Sequence, residues 1–276
     1  MEENGDVVKH AYLTAVLLIA AIPQSACAVP AEGTPAAVTV LCDRPLEFAA
    51  AASQNTLSLT HSAWTVSGHA ETGWEVYVPL IGHEIGAPCA ATTPAFAARL
   101  AIWQGAHGRP AAGVMDAASL NAMGQVWASR RPFAVQRAAG ICPPPPQVVA
   151  QTRADETFED TPLSLRADAL EAYRRLRAAA RVEVPEVAAD PKMLTLTNGY
   201  DNPAEKPASC SAHRTGYAMD FYLGSAPGYP AESAADPNRL FQSRSAAYRW
   251  LVANAYRFAF VTNPVEPRHW EWTGAQ

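Results

Sequence analysis

Two short segments set the tightest constraint on how this chain can fold, because their side chains make chemical sense only if they meet. The first is Ser211-Ala212-His213-Arg214-Thr215-Gly216-Tyr217-Ala218-Met219-Asp220, and the second is Glu266-Pro267-Arg268-His269-Trp270-Glu271-Trp272. Gly216 stands between His213 and Asp220, so the chain can turn there and bring both side chains to one point. After the turn, Tyr217, Met219, Phe221 and Leu223 alternate with Ala218, Asp220 and Tyr222, which predicts a strand with an apolar odd face and Asp220 on the even face. His269 is the third candidate ligand, and Glu266 would sit beside a metal without binding it. Three protein ligands leave one position open for water, which separates a catalytic zinc from a structural one.

Two histidines and an aspartate alone are a weak metal signal, since isolated histidines are commonly surface or satisfied core residues. The full pattern is rarer. Ser-x-His-x-x-Gly-x-Ala-x-Asp followed by Glu-Pro-x-His-Trp resembles the VanY-type D-alanyl-D-alanine carboxypeptidases, relatives of the D,D-dipeptidases. Leu165 to Ala180, Leu194 to Tyr200 and Ser243 to Gly274 extend the likeness over roughly the last 115 residues. The resemblance implies zinc held by His213, Asp220 and His269, Glu266 as the base, and a peptidoglycan stem peptide as substrate. On that expectation Glu266 takes a proton from water and passes it to the departing amine. Glu271 would share a strand face with His269, either as its hydrogen-bonding partner or as an exposed carboxylate.

A Ser211-His213-Asp220 hydrolytic triad is the competing constellation. It lacks the Gly-x-Ser-x-Gly elbow and crowds all three groups into one turn, so Ser211 is expected to bind substrate or orient the loop. Two positions depart from the family. Gly199-Tyr200 is followed by Asp201 where relatives carry an arginine, and Arg268 replaces the tryptophan of Glu-Pro-Trp-His. Arg268 is therefore a candidate substrate contact, although an extended backbone before His269 would turn it away from the zinc; Arg214 and Lys206 are the alternative cations.

Composition excludes some partners. A net charge of -5 with 17% charged residues offers no basic footprint for nucleic acid. Ala11 to Ile22 is an apolar run of twelve residues, too short to span a bilayer. With Ala26-Cys27-Ala28 behind it, residues 1–28 read as a secretory signal, despite the acidic Glu2, Glu3 and Asp6. A lipid anchor on Cys27 is the alternative, disfavoured by Gln24 where an aliphatic residue belongs. A secreted or periplasmic monomer without an integral membrane segment is expected. Cys42, Cys89, Cys142 and Cys210 then remain, an even set that favours two disulfides. Cys42 and Cys89 precede the proposed linker, whereas Cys142 opens it and Cys210 follows it, which suggests Cys42 with Cys89 and Cys142 with Cys210.

The expected fold is α+β: a small antiparallel-sheet peptidase domain with flanking helices (161–276), preceded by a smaller, mainly helical region (29–140) and a linker (141–160). Residues 30–43 and 55–79 lack helical periodicity and predict short strands and loops, with Trp74, Val76 and Val78 the best strand. His83-Glu84 lacks the second histidine of a zincin and reads as ordinary helix. Pro94 opens a helix to about Gly105, and Asp116 caps another over Ala117 to Met123. Phe96, Leu100, Trp103 and Gln104, then Gly113-Val114 and Asp116, then Ser119-Leu120, are similar to a helical peptidoglycan-binding repeat; the alternative is that these helices only pack on the catalytic part. Cys142 and the four prolines after it favour an extended linker. Further on, Arg166 to Val182 predicts a one-sided helix, Met193 to Thr197 a strand, Ser245 to Arg257 a helix with Tyr248, Leu251, Val252 and Tyr256 inward, and Phe258 to Val261 a strand. The reading is a zinc D,D-carboxypeptidase or endopeptidase; the alternative is a wall-binding or zinc-binding module with lost or weak catalysis.

Overall fold

The computed structural model describes residues 41–202 and 210–274. The leader reading, Cys27, Lys206 and the start of the 30–43 stretch lie outside them. The described residues fall in one compact unit, and within it the chain is α+β.

The first part is built on helices α1 (Ala49–Ser58), α2 (Val78–Ile85), α3 (Pro94–Ala106), α4 (Ala117–Ser129) and α5 (Pro132–Ala138), with a hairpin of β1 (Ala63–Val66) and β2 (His69–Thr72). α3 and α4 begin where expected: the Thr93 side chain accepts from Phe96 N–H and that of Asp116 from Ser119 N–H. Phe96, Leu100 and Trp103 face inward at three- and four-residue spacing. The buried Gln104 amide donates to Val114 O and Ser119 Oγ and accepts from Gly113 N–H, so it organises the α3–α4 loop. Of the repeat-like pattern, Phe96, Leu100, Trp103, Gln104, Ser119 and Leu120 are buried, Val114 is half-buried and Asp116 is exposed.

The strand expected at Trp74 to Val78 is instead a 3-10 turn (Glu75–Tyr77) running into α2. Trp74, Tyr77, Ile81 and Ile85 are the buried residues, a helical spacing that outweighs the local alternation. Asn55, expected in loop or strand, lies in α1 and clasps the Gly113–Met115 backbone through both amide atoms.

In the second part, β3 (Ala150–Gln151) pairs with β4 (Ser164–Leu165), and α6 (Ala167–Glu183) and α7 (Pro185–Ala189) follow. Then come β5 (Leu196–Asn198), β6 (Ala218–Phe221), α8 (Asp236–Ser243), α9 (Ala246–Asn254), β7 (Phe260–Thr262) and β8 (His269–Trp272). The antiparallel sheet runs β5-β6-β8-β7. α6 lays Leu170, Tyr173 and Leu176 against it, joined by Met219, Phe221, Tyr248, Leu251 and Trp270. Tyr256 is a correction: it is 66% exposed. The chain tightens into a 3-10 turn at Ala255–Phe258, and three residues per turn rotate Tyr256 off the inward face.

The two parts are tied by polar contacts. Arg239 on α8 donates to Glu71 of β2 at 2.6 Å and also to Ala70 O, with both paired side chains buried. Tyr77 Oη donates to the same carboxylate at 2.8 Å. Disulfides join Cys42 to Cys89 and Cys142 to Cys210, the expected pairing. Among the described residues, no helix is long and apolar enough to cross a membrane.

Candidate metal centre

His213, Asp220 and His269 converge. One donor atom from each lies within 4.8 Å of the others, and all three residues are buried. Three local devices achieve this. His213 sits in a 3-10 turn that ends at Gly216 with φ 72°, a left-handed conformation that glycine adopts without strain. Asp220 lies on β6 directly opposite His269 on β8. The third device is Gly199, whose carbonyl accepts from His213 Nδ1 at 2.8 Å. A Cβ at Gly199 would lie 2.7 Å from Ser164 O, so only glycine lets the backbone pass there.

These contacts assign the nitrogens. A carbonyl only accepts, so His213 Nδ1 carries the proton and Nε2 is the free donor atom, 3.3 Å from Asp220 Oδ1. His269 uses the opposite edge: Nδ1 lies 3.0 Å from Asp220 Oδ1, and Nε2 lies 3.5 Å from Glu271 Oε1. The rings meet nearly edge to face, with centroids 5.1 Å apart. Asp220 Oδ2 faces Arg268 Nη1 at 3.6 Å, which leaves Oδ1 as the shared oxygen.

Burial alone would raise the Asp220 carboxyl, but hydrogen bonds with His213 and His269 outweigh it and hold the group well below the usual carboxylate range. Burial would lower His269; its contacts with Asp220 and Glu271 instead push it up to about 9. Asp220 faces Arg268 and Glu271 faces Arg131, yet the two carboxylates that flank the ring still favour positive charge on or beside His269, as a proton or a bound cation. Two imidazole nitrogens and one carboxylate oxygen also form a donor set suited to a divalent transition metal. The residues present thus fit a metal ion.

Glu266 is exposed on the turn that leads into His269. Its carboxylate accepts from Asn263 Nδ2 at 3.0 Å, and His269 N–H closes the turn on Glu266 O at 2.9 Å. Arg268 belongs to this turn rather than to an extended segment, which is why it reaches Asp220 instead of pointing away. Its Nη2 also donates to Glu232 O at 2.8 Å. Ser211 Oγ donates to Asp201 Oδ2 at 2.9 Å, while both ring nitrogens of His213 face other groups; a Ser-His-Asp triad is not assembled.

No family model, no curated protein and no solved structure matches the chain.

Sequence reasoning left Glu271 open and missed its partners. Glu271 is 2% exposed and accepts from Phe133 N–H at 2.9 Å and from Arg131 Nη1 at 3.3 Å. Asn263 was missed as well. For α5 a start signal existed, Pro132 at its first position, but seven residues are too few for a helical period to emerge.

Proposed function

We propose that the protein is a zinc-dependent peptidase of the D,D-carboxypeptidase or endopeptidase type, acting on D-Ala-containing bonds of peptidoglycan stem peptides. The observation that carries this reading is the convergence of His213 Nε2, Asp220 Oδ1 and His269 Nδ1, with Glu266 on the turn that delivers the last of them. The likeness of the two motifs to the VanY-type enzymes supplies the substrate class, and two disulfides suit a secreted or periplasmic setting.

Bound at this centre, zinc would polarise a scissile carbonyl and make a water more acidic. Glu266 takes the proton of the attacking water and hands it to the departing amine, with Asn263 Nδ2 steadying the carboxylate. Arg268 holds Asp220 Oδ2, so that Asp220 presents one oxygen, and keeps a guanidinium beside the site for a substrate carboxylate.

A second reading, a wall-binding or zinc-binding module with weak catalysis, is favoured by Asp201. Where the resembled enzymes place a substrate-facing arginine, this chain has a buried carboxylate bonded to Ser211. Incubating the zinc-loaded protein with defined muropeptides and weighing the products by mass spectrometry decides between them. Loss of D-Ala indicates a carboxypeptidase, and cleavage of a cross-link an endopeptidase. Intact substrate at stoichiometric zinc leaves the second reading.

A further inference from the structure

His269 is backed by a part of the chain that contributes no ligand. Glu271, two residues along β8, places Oε1 3.5 Å from His269 Nε2 and 3.3 Å from Arg131 Nη1. Its Oε2 takes the Phe133 N–H at 2.9 Å. A carboxylate this deeply buried must be paired, and both of its oxygens are. Arg131 is anchored in turn, since its Nε donates to Ala128 O at the end of α4. The Phe133 side chain clusters with Ala212, next to His213, and with Ala218 on the strand that carries Asp220.

We propose that the α4–α5 corner, Arg131 to Phe133, is the positioning element of the metal centre, orienting His269 through Glu271 and bracing the elements that carry His213 and Asp220. The corner touches the surroundings of all three candidate ligands. Its N–H and guanidinium hold the Glu271 carboxylate in one place, and that carboxylate faces the edge of His269 opposite Nδ1. Rotation of the ring would break the Nε2 contact, so Nδ1 stays aimed at Asp220. The following segment adds two further ties, Arg214 Nε to Pro143 O at 3.1 Å and the Cys142–Cys210 disulfide. The helical part of the chain is thus a component of the site rather than a separable binding module.

This inference rests on the zinc reading, and one experiment separates their failures. Zinc affinity of the full chain is measured by competition with a chromophoric chelator, alongside the visible spectrum of the cobalt(II)-loaded protein. Arg131→Ala and Glu271→Gln should each weaken zinc binding about 10–100-fold, the scale found when partners of a ligating histidine are removed, and should shift the cobalt bands. Arg131→Lys should recover most of the affinity, because an ammonium can still meet Oε1. Glu271→Gln preserves shape and carries the test if Arg131→Ala does not fold. Folded variants with wild-type zinc affinity and an unchanged cobalt spectrum would overturn the proposal. A wild-type chain that takes up no stoichiometric zinc would instead remove the metal reading, and this inference with it.

Discussion

Asp220 and His269 are register partners on adjacent antiparallel strands, and their side chains meet at 3.0 Å through Oδ1 and Nδ1. The backbone ladder therefore sets the spacing of two candidate ligands, while a separate turn delivers His213. Removing one of three ligands from such a centre leaves too few donors for a catalytic zinc. His269→Ala is expected to lose stoichiometric zinc after dialysis, measured by elemental analysis. Full retention would assign the metal elsewhere.

Glu266 lies outside the donor set, so its removal should separate chemistry from metal binding. Glu266→Gln is expected to keep its zinc and lose turnover by ~10²–10⁴-fold, the usual contribution of a positioned acid–base group. A muropeptide assay at matched zinc content checks this, and an undiminished rate would place the base on another residue.

The Arg239–Glu71 pair joins the two parts of the fold, with side chains only 3% and 5% exposed. Truncating one partner strands a buried charge, which typically costs about 3–5 kcal/mol. Arg239→Ala should therefore shift the urea midpoint strongly downward. A loss below about 1 kcal/mol would put the pair in the class of surface bridges.

Glu156 predicts an acid limb to stability. Burial raises its carboxyl, but Arg174, Arg153 N–H and the Arg153 charge outweigh this and hold it below its ordinary 4.5. A depressed carboxyl stabilises fully above the unfolded value, and the contribution disappears as pH falls through the folded one. Glu156→Gln should be less stable than wild type at neutral pH, and the gap should close below about pH 4.5. Thermal midpoints across that range test it; a gap independent of pH would show that packing, not charge, is at work.

Much of the local structure was legible. Pro94 with Thr93, Asp116 with Ser119, the one-sided Leu170–Tyr173–Leu176 helix and the Gly216 turn between His213 and Asp220 each depend on residues within a few positions of one another. Where local signals conflicted, the reading failed. Trp74, Val76 and Val78 alternate over five residues, but burial of Tyr77, Ile81 and Ile85 along a helical face decided the outcome. Tyr256 was misplaced because the switch from α to 3-10 at Ala255 leaves no mark in apolar spacing.

By itself the sequence determined the candidate donors, the strand that carries Asp220 and the α+β class, because chemistry and short-range periodicity are written in neighbouring residues. Only the tertiary structure decided that Arg268 reaches Asp220 and that Arg131 and the Phe133 N–H hold the carboxylate behind His269. Arg131 and Glu271 are 140 residues apart. Such a contact depends on how α4 and α5 pack against the sheet, and burial requires each charge to be paired with a partner that this packing brings within reach.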